Sequence, residues 1–151
     1  MNSELTIRKA TKSDIKTIAQ FNINMALETE NKELPQEIIT KGVETLINNA
    51  HLGFYLMAEK DGKIVGSLMI TTEWSDWRNG LFWWVQAVYV IEEYRRQGVY
   101  SALYDHVKKL SKKEQVCGYR LYVEKENEIA QKTYENLGMH KTDYLLYEEE
   151  K

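Results

Sequence analysis

The spacing of hydrophobic residues changes along this chain, and that change limits its fold more than any other feature. Over residues 15–26 and 38–47, apolar residues recur three or four positions apart, which predicts two amphipathic helices. Residues 54–59, 64–73 and 81–90 instead form apolar runs of strand length, and a tight "KDGK" turn joins the first two runs. A helix pair followed by antiparallel strands predicts a mixed α/β fold.

The rest of the chain alternates between the two kinds of element. A short strand opens the sequence, and a helix, a strand at 119–124, a helix between Asn127 and Gly138, and a last strand at 143–149 follow the central strands. We therefore expect about six strands and four helices. The sequence shows no linker or repeat, so we expect a single domain over residues 1–151.

Composition excludes several classes of function. The formal net charge of −3 leaves no basic footprint for nucleic acid. Cys117 is the only cysteine, which excludes an internal disulfide and a cysteine-based metal cluster, and we expect it to be a buried apolar residue. The three histidines are scattered, so we expect no metal. No secretory leader pattern and no apolar run of membrane-spanning length occurs, which favours a cytoplasmic protein that binds no membrane.

A basic turn with one glycine, "YRRQGVYSALYDH", leads from the buried strand at 81–90 into a helix. The first N–H groups of a helix have no partner within it, and with the positive end of the helix dipole they can bind an anion. Arg95 and Arg96 add charge, and Gly98 permits an unusual backbone angle or close approach of a ligand. Taken alone, however, such a turn is more often an ordinary solvated loop.

A second pattern changes that interpretation. "NEIAQKTYENLGM", residues 127–139, places Asn127, Ala130 and Tyr134 on one helical face. Together with the turn, it resembles the GNAT superfamily of acetyl-CoA-dependent N-acetyltransferases. In the family's [Q/R]-x-x-G-x-[G/A] motif, Arg95 and Gly98 match and Tyr100 departs from glycine or alanine. The ring of Tyr100 must therefore turn away from the phosphates.

The resemblance implies a central, mostly antiparallel mixed sheet with helices on both faces and with strands 4 and 5 splayed apart. It implies acetyl transfer from acetyl-CoA to a primary amine, by direct attack in a ternary complex, without a metal. We expect a small-molecule acceptor, because nothing marks a groove for a macromolecule. The alternatives are a non-catalytic acetyl-CoA-binding module and an acetyltransferase acting on a protein amine.

The resemblance also implies roles for particular residues. Tyr134 would be the general acid that protonates the departing thiolate, although a core tyrosine is the alternative. Strand backbone would pair with pantetheine, turn amides would hold the pyrophosphate, and Asn127 would contact the pantetheine arm or only cap its helix. The expected cofactor-binding residues are Val88, Tyr89, Val90, Arg95, Arg96, Gln97, Gly98, Val99, Tyr100, Ser101 and Asn127.

The amine must lose a proton, and we expect Glu73 to be the base that takes it, with Asp76, Glu28 and Glu30 as further candidates. Four tryptophans crowd "TEWSDWRNGLFWWVQ". They favour either an acceptor pocket or packing, including a homodimer interface. Gln86 interrupts an apolar strand, which suggests a bulge or a cleft-lining residue. The expected residues of the acceptor pocket are Trp74, Asp76, Trp77 and Gln86.

Overall fold

The computed structural model describes residues 4–151. The strands are β1 (Thr6–Lys9), β2 (Gly53–Lys60), β3 (Lys63–Ser75), β4 (Gly80–Val90) and β5 (Val116–Arg120). The α-helices are α1 (Ile15–Glu30), α2 (Gln36–Asn48), α3 (Val99–Ser111) and α4 (Glu128–Asn136). The chain forms two compact units: one ends at Leu121 and holds the sheet with α1 to α3, and the other, Tyr122–Lys151, holds α4. The single domain over residues 1–151 stays a prediction.

The five strands lie in the order β1-β2-β3-β4-β5. The first four pair antiparallel, and β5 pairs parallel to β4, so the predicted mixed, mostly antiparallel sheet is confirmed with five strands instead of six. Asp61 (φ 55°) and Gly62 (φ 72°) form the predicted β2–β3 turn. Positive φ at both central residues is what a tight hairpin of right-twisted strands requires.

Helices cover both faces of this sheet. On one face, Ile18 of α1 and Val43 of α2 pack with Tyr55 and Met57 of β2. Leu56, between those two β2 residues, faces the other side by strand alternation, and it is fully buried where α3 lies against β1 to β4. The first two helices and the third therefore enclose a core on opposite faces, as predicted.

Two predicted strands differ from the observed ones. The strand expected at 119–124 begins earlier and ends at Arg120, and residues 143–149 form no strand. A strand satisfies its N–H and C=O groups only through a neighbour, and the described unit from Tyr122 onward contains no other strand. The prediction for Cys117 is also wrong, because the side chain is exposed on β5.

The β3–β4 hairpin is longer than predicted. Pairing continues to Ser75 opposite Gly80, so the loop contains only residues 76–79, and Trp74 belongs to β3 instead of the loop. Trp74 and Trp77 are 55% and 89% exposed, so neither contributes to the core of its unit.

Candidate functional site: the open edge of β4 and the turn that follows it

The second half of β4 has an edge that no described strand covers. β4 pairs with β3 along its length, but it pairs with β5 only over Leu81–Trp84. Between the β3 partners Ser67 and Met69, β4 contains one extra residue, and Ala87 takes a φ of 51°. An extra residue of this kind is a β-bulge, which bends a strand. The pairing of β4 with β5 stops before the bulge, at Trp84, because β5 ends at its partner Arg120.

Gln86 lies at the start of the bulge. Its Nε2 donates a 2.6 Å hydrogen bond to Oγ1 of Thr71 on β3. The amide that interrupts the apolar strand thus ties the bulged segment to the neighbouring strand. Thr71 lies opposite Trp84, two residues before Gln86, so this contact points away from the bulge.

Past the bulge, the backbone of β4 offers a carbonyl group on the open side. The N–H of Ile91 donates to the carbonyl of Val65 (2.9 Å), so β3 still bonds this end of the strand. A Cβ on Gly66 of β3 would stand 3.0 Å from the carbonyl oxygen of Tyr89, which therefore faces β3. Successive carbonyls along a strand point in opposite directions, so the carbonyl of Val90 faces the splay.

The turn after β4 has the geometry of an anion cradle. Arg96 (φ 63°) and Gly98 (φ 80°) are left-handed, and α3 begins at Val99. The N–H of Ala102 donates to the carbonyl of Gly98 (3.0 Å), and the N–H groups ahead of it lie in the first turn, where an α-helix provides no acceptor. A Cβ at Gly98 would meet no atom within 4 Å. The space in front of this turn is therefore open to a ligand.

A close contact fixes the start of α3 against the sheet. An ideal Cβ on Gly66 would stand 3.1 Å from Cγ1 of Val99, which is tighter than ordinary packing. Val99 is only 3% exposed. The absence of a side chain at position 66 thus lets the first residue of α3 pack directly on β3, and this contact anchors the turn.

Tyr100, which replaces the usual small residue, turns its ring along α3. The ring stacks on Tyr104, one helical turn later, with centroids 6.1 Å apart and planes 10° apart. Tyr104 in turn contacts Tyr119 of β5 edge to face, at 5.9 Å. The phenol thus joins a row of aromatic rings, and the ring takes up none of the space in front of Gly98.

A charged cluster joins the end of β4 to the end of α1. Glu28 accepts a hydrogen bond from the hydroxyl of Tyr89 (2.6 Å) and an ion-paired one from Nη2 of Arg95 (2.6 Å). The hydroxyl of Tyr89 and then Arg95 lower the pKa of Glu28. Nε of Arg95 donates to the Val90 carbonyl at 2.8 Å. The predicted phosphate contact Arg95 therefore binds a carboxylate and a backbone carbonyl in this structure.

The cluster borders a cavity of about 220 Å³. Val88, Tyr89, Val90 and Arg95 line it, and these were predicted to bind the cofactor; the remaining lining residues are Met25, Glu28 and Thr29 of α1. Met25 and Thr29 were not predicted, and Glu28 was only one of several candidate bases. Their spacing of three and four residues at the polar end of a helix was the available signal.

The other predicted acceptor residues lie elsewhere on the sheet. Trp74 pairs with Leu81, nine residues before Val90, which is roughly 30 Å along the strand. Glu73 binds Nη1 of Arg120 (2.7 Å) and Nε1 of Trp84 (3.2 Å). The structure therefore does not bring Trp74, Asp76 and Trp77, at the hairpin end, together with Val88–Val90.

The second unit carries the predicted motif helix. Oδ1 of Asn127 accepts from the N–H of Ala130 at 3.2 Å, so the predicted N-cap of α4 is present. At the other end, Gly138 (φ 102°) allows the N–H of Met139 to reach the carbonyl of Tyr134 at 3.0 Å. Burial raises the pKa of Tyr134. Its phenol is therefore protonated at neutral pH and able to donate a proton.

Within residues 4–151, the protein has neither a cluster of metal ligands nor a membrane-spanning helix. No group of three or more histidine, cysteine, aspartate or glutamate side chains there is arranged to hold a metal ion. No helix in that range is both long and apolar enough to cross a membrane.

Comparison with known proteins gives a consistent result. The profile of the acetyltransferase (GNAT) family matches residues 21–139. A possible acetyltransferase from Clostridium difficile 630 is 48% identical, with a TM-score of 0.90 over 97% of each chain. A predicted acetyltransferase with acetyl-CoA from Clostridium acetobutylicum is 19% identical, with a TM-score of 0.79 over 97% of this chain and 96% of that one. Aminoglycoside N-acetyltransferase AAC(6')-Iy in complex with CoA is 17% identical, with a TM-score of 0.77 over 99% of this chain and 97% of that one. The last two show likeness of fold alone, and no curated protein matches.

Proposed function

This chain belongs to the acetyltransferase (GNAT) family, and from that premise we propose that it transfers acetyl from acetyl-CoA to a primary amine on a small molecule. The observation that carries the proposal is the open edge of β4, which leads directly into the turn at Gly98. An extended amide chain can pair with a free strand edge, and an anionic group can bind at the start of a helix. The two surfaces are adjacent, as the pantetheine and pyrophosphate of one CoA molecule require.

The turn supports this fit by its shape as well as its charge. Gly98 leaves open the space that a side chain would fill, and Arg96 is exposed beside it. The amides of residues 96–101 would hold the pyrophosphate, and the backbone of Val88–Val90 would pair with pantetheine. Asn127 would cap its helix and contact the pantetheine arm.

When bound, acetyl-CoA supplies an acetyl group activated as a thioester. Side chains of the protein would donate and accept the protons that the transfer requires. Tyr134 would donate its phenolic proton to the departing thiolate, and its raised pKa keeps that proton in place at neutral pH. The acceptor amine would give up a proton to a carboxylate, Glu28 or Glu73, and then attack the acetyl carbon directly in a ternary complex.

We assign Glu28 as the carboxylate that binds the acceptor's amine. Glu28 and Glu73 each pair with an arginine, but Glu28 lies in the cavity with Val88–Val90, whereas Glu73 lies on the far side of the bulge. A cavity of about 220 Å³ suits a small amine better than a folded protein segment. Glu73 is the alternative base, and comparing Glu28→Gln with Glu73→Gln turnover separates the two.

Titration calorimetry with acetyl-CoA, combined with thiol-release assays over a panel of small primary amines, tests the proposal. We expect acetyl-CoA to bind and at least one amine to release free CoA, with a product 42 Da heavier than the amine, the mass of the added acetyl group. Binding without turnover over a broad panel would favour a non-catalytic module. Turnover with lysine-containing peptides but not with small amines would favour a protein acceptor. Failure to bind acetyl-CoA would refute all three.

A further inference from the structure

Arg95 binds two groups that the proposed reaction needs. Its Nη2 lies 2.6 Å from Oε1 of Glu28, and its Nε lies 2.8 Å from the Val90 carbonyl. The guanidinium carbon also lies 5.4 Å from the centre of the Tyr89 ring. One side chain therefore neutralises the cavity carboxylate and covers the carbonyl on the open edge of β4.

The charges in the cavity show what this arrangement prevents. With Arg95 bound, the −1 charge of Glu28 is cancelled and an incoming ammonium ion gains little attraction. Without Arg95, the carboxylate keeps its hydrogen bond from Tyr89 but has lost its cationic partner. The cavity would then attract a cationic amine.

The contact is also of a kind that a ligand can break. The side chains of Arg95 and Glu28 are 40% and 43% exposed, and ion pairs this exposed are weak. A pyrophosphate offers several charged oxygens in the geometry that a guanidinium binds best. Arg95 precedes Gly98 by three residues, so its backbone already lies beside the proposed pyrophosphate cradle.

We infer that Arg95 is an exchangeable clamp, which holds Glu28 and the Val90 carbonyl until the phosphates of CoA take its guanidinium. Its departure frees the carbonyl for pantetheine and leaves Glu28 to bind the acceptor's cationic amine. This inference rests on the proposed function and adds that cofactor binding creates the amine site. Arg95 would therefore control the binding of the amine through Glu28, in addition to contacting phosphate.

A double-mutant cycle measured with CoA alone tests the exchange without knowledge of the acceptor. Glu28→Gln should tighten CoA binding about two- to fivefold, because Arg95 then leaves a weaker partner. Arg95→Gln should weaken binding, and adding Glu28→Gln to Arg95→Gln should change it no further. Glu33→Gln, which removes an exposed carboxylate on the loop after α1, is the matched control and should leave CoA affinity unchanged.

The outcomes separate this inference from the proposed function. If CoA binds wild type but Glu28→Gln leaves its affinity unchanged or weaker, the exchange is wrong and the acetyltransferase proposal stands. Equal tightening by Glu33→Gln would also overturn it, because bulk charge would then explain the gain. If wild type does not bind CoA, both fail.

Carbon-13 NMR of the Glu28 carboxyl group gives a second readout that needs no variant at position 28. The pKa of Glu28, lowered in the free protein by Tyr89 and Arg95, should rise when CoA is added, because one of these two partners leaves. In Arg95→Gln, the pKa should already be higher, and CoA should raise it less than in wild type, through the charge of its phosphates alone. The same Glu28 pKa with and without bound CoA in wild type would contradict the exchange.

Discussion

Gly98 provides the most discriminating test of the proposed cofactor site, because its effect on stability and its effect on CoA binding can be measured separately. Its φ is 80°, but a Cβ there would meet no protein atom within 4 Å. In Gly98→Ala, the left-handed backbone should cost about 1–2 kcal/mol of unfolding free energy, which lowers Tm by about 2–8 °C for a chain of this size. Gly98→Asn should cost less, because asparagine tolerates this conformation better.

The two substitutions differ in their expected effect on stability, but both should weaken the binding of CoA. Both substitutions place a Cβ in the space in front of the turn, so both should remove at least one amide–phosphate hydrogen bond. At about 1.5–3 kcal/mol for a hydrogen bond to a charged group, the Kd for CoA should rise about 10- to 100-fold in titration calorimetry. A Gly98→Ala protein that is destabilised but binds CoA like wild type would refute the cradle.

Gly42→Ala is the control for the substitution itself. Gly42 lies inside α2, and a Cβ there also meets nothing within 4 Å. Alanine should therefore stabilise the helix by about 0.5–1 kcal/mol, the opposite sign, and leave CoA affinity unchanged. If Gly42→Ala also lowered Tm, the reasoning from backbone angle at Gly98 would lose its basis.

Three further predictions concern catalysis, packing and acid stability. Tyr134→Phe should reduce turnover at least tenfold while acetyl-CoA affinity stays near wild type, and an unchanged rate would exclude the general-acid role. Gly53→Ala should abolish folding or cost more than about 4 kcal/mol in denaturant unfolding, because its Cβ would stand 1.9 Å from the Ile70 carbonyl oxygen; a cost under 1 kcal/mol would contradict this. Arg8 holds Asp14 through two bonds of 2.8 and 2.9 Å and lowers its pKa, so this contribution to stability should be present above about pH 4 and lost as pH falls through the lowered folded pKa. Unfolding free energies measured from pH 7 to pH 2 should therefore fall less steeply in Asp14→Asn, and parallel curves would refute the assignment.

Local features of this chain were predictable from the sequence, and features that depend on distant contacts were not. Asn127 and Gly138 mark the ends of α4 through hydrogen bonds that span only a few residues, so the helix could be placed correctly. Residues 143–149 have the composition of a strand, but no strand forms without a neighbour to pair with.

The candidate site shows the same division. The turn at Gly98 and the open edge of β4 lie in one continuous stretch of chain, and the motif located both. The contact of Glu28 with Tyr89 and Arg95 joins residues more than sixty positions apart, so it depends on how α1 packs against the sheet. The motif position of Arg95 places its backbone beside the turn, and this led to the prediction of a phosphate contact. The motif does not reveal which partner the side chain has in the free protein.

The bulge in β4 takes up one extra residue without changing which way the end of the strand faces. Gln86 pairs with Met69, which packs against the core of α1 and α2, and Tyr89 reaches Glu28 of α1, so residues three positions apart share one face. In a regular strand, that separation would put them on opposite faces. Deleting Ala87 would therefore leave Gln86 and Tyr89 two positions apart, on the same face and opposite Met69 and Ser67 as before, and would remove only the bulge. The extra residue thus affects the bend of the strand and its open edge, while the side chains on either side of it keep their faces.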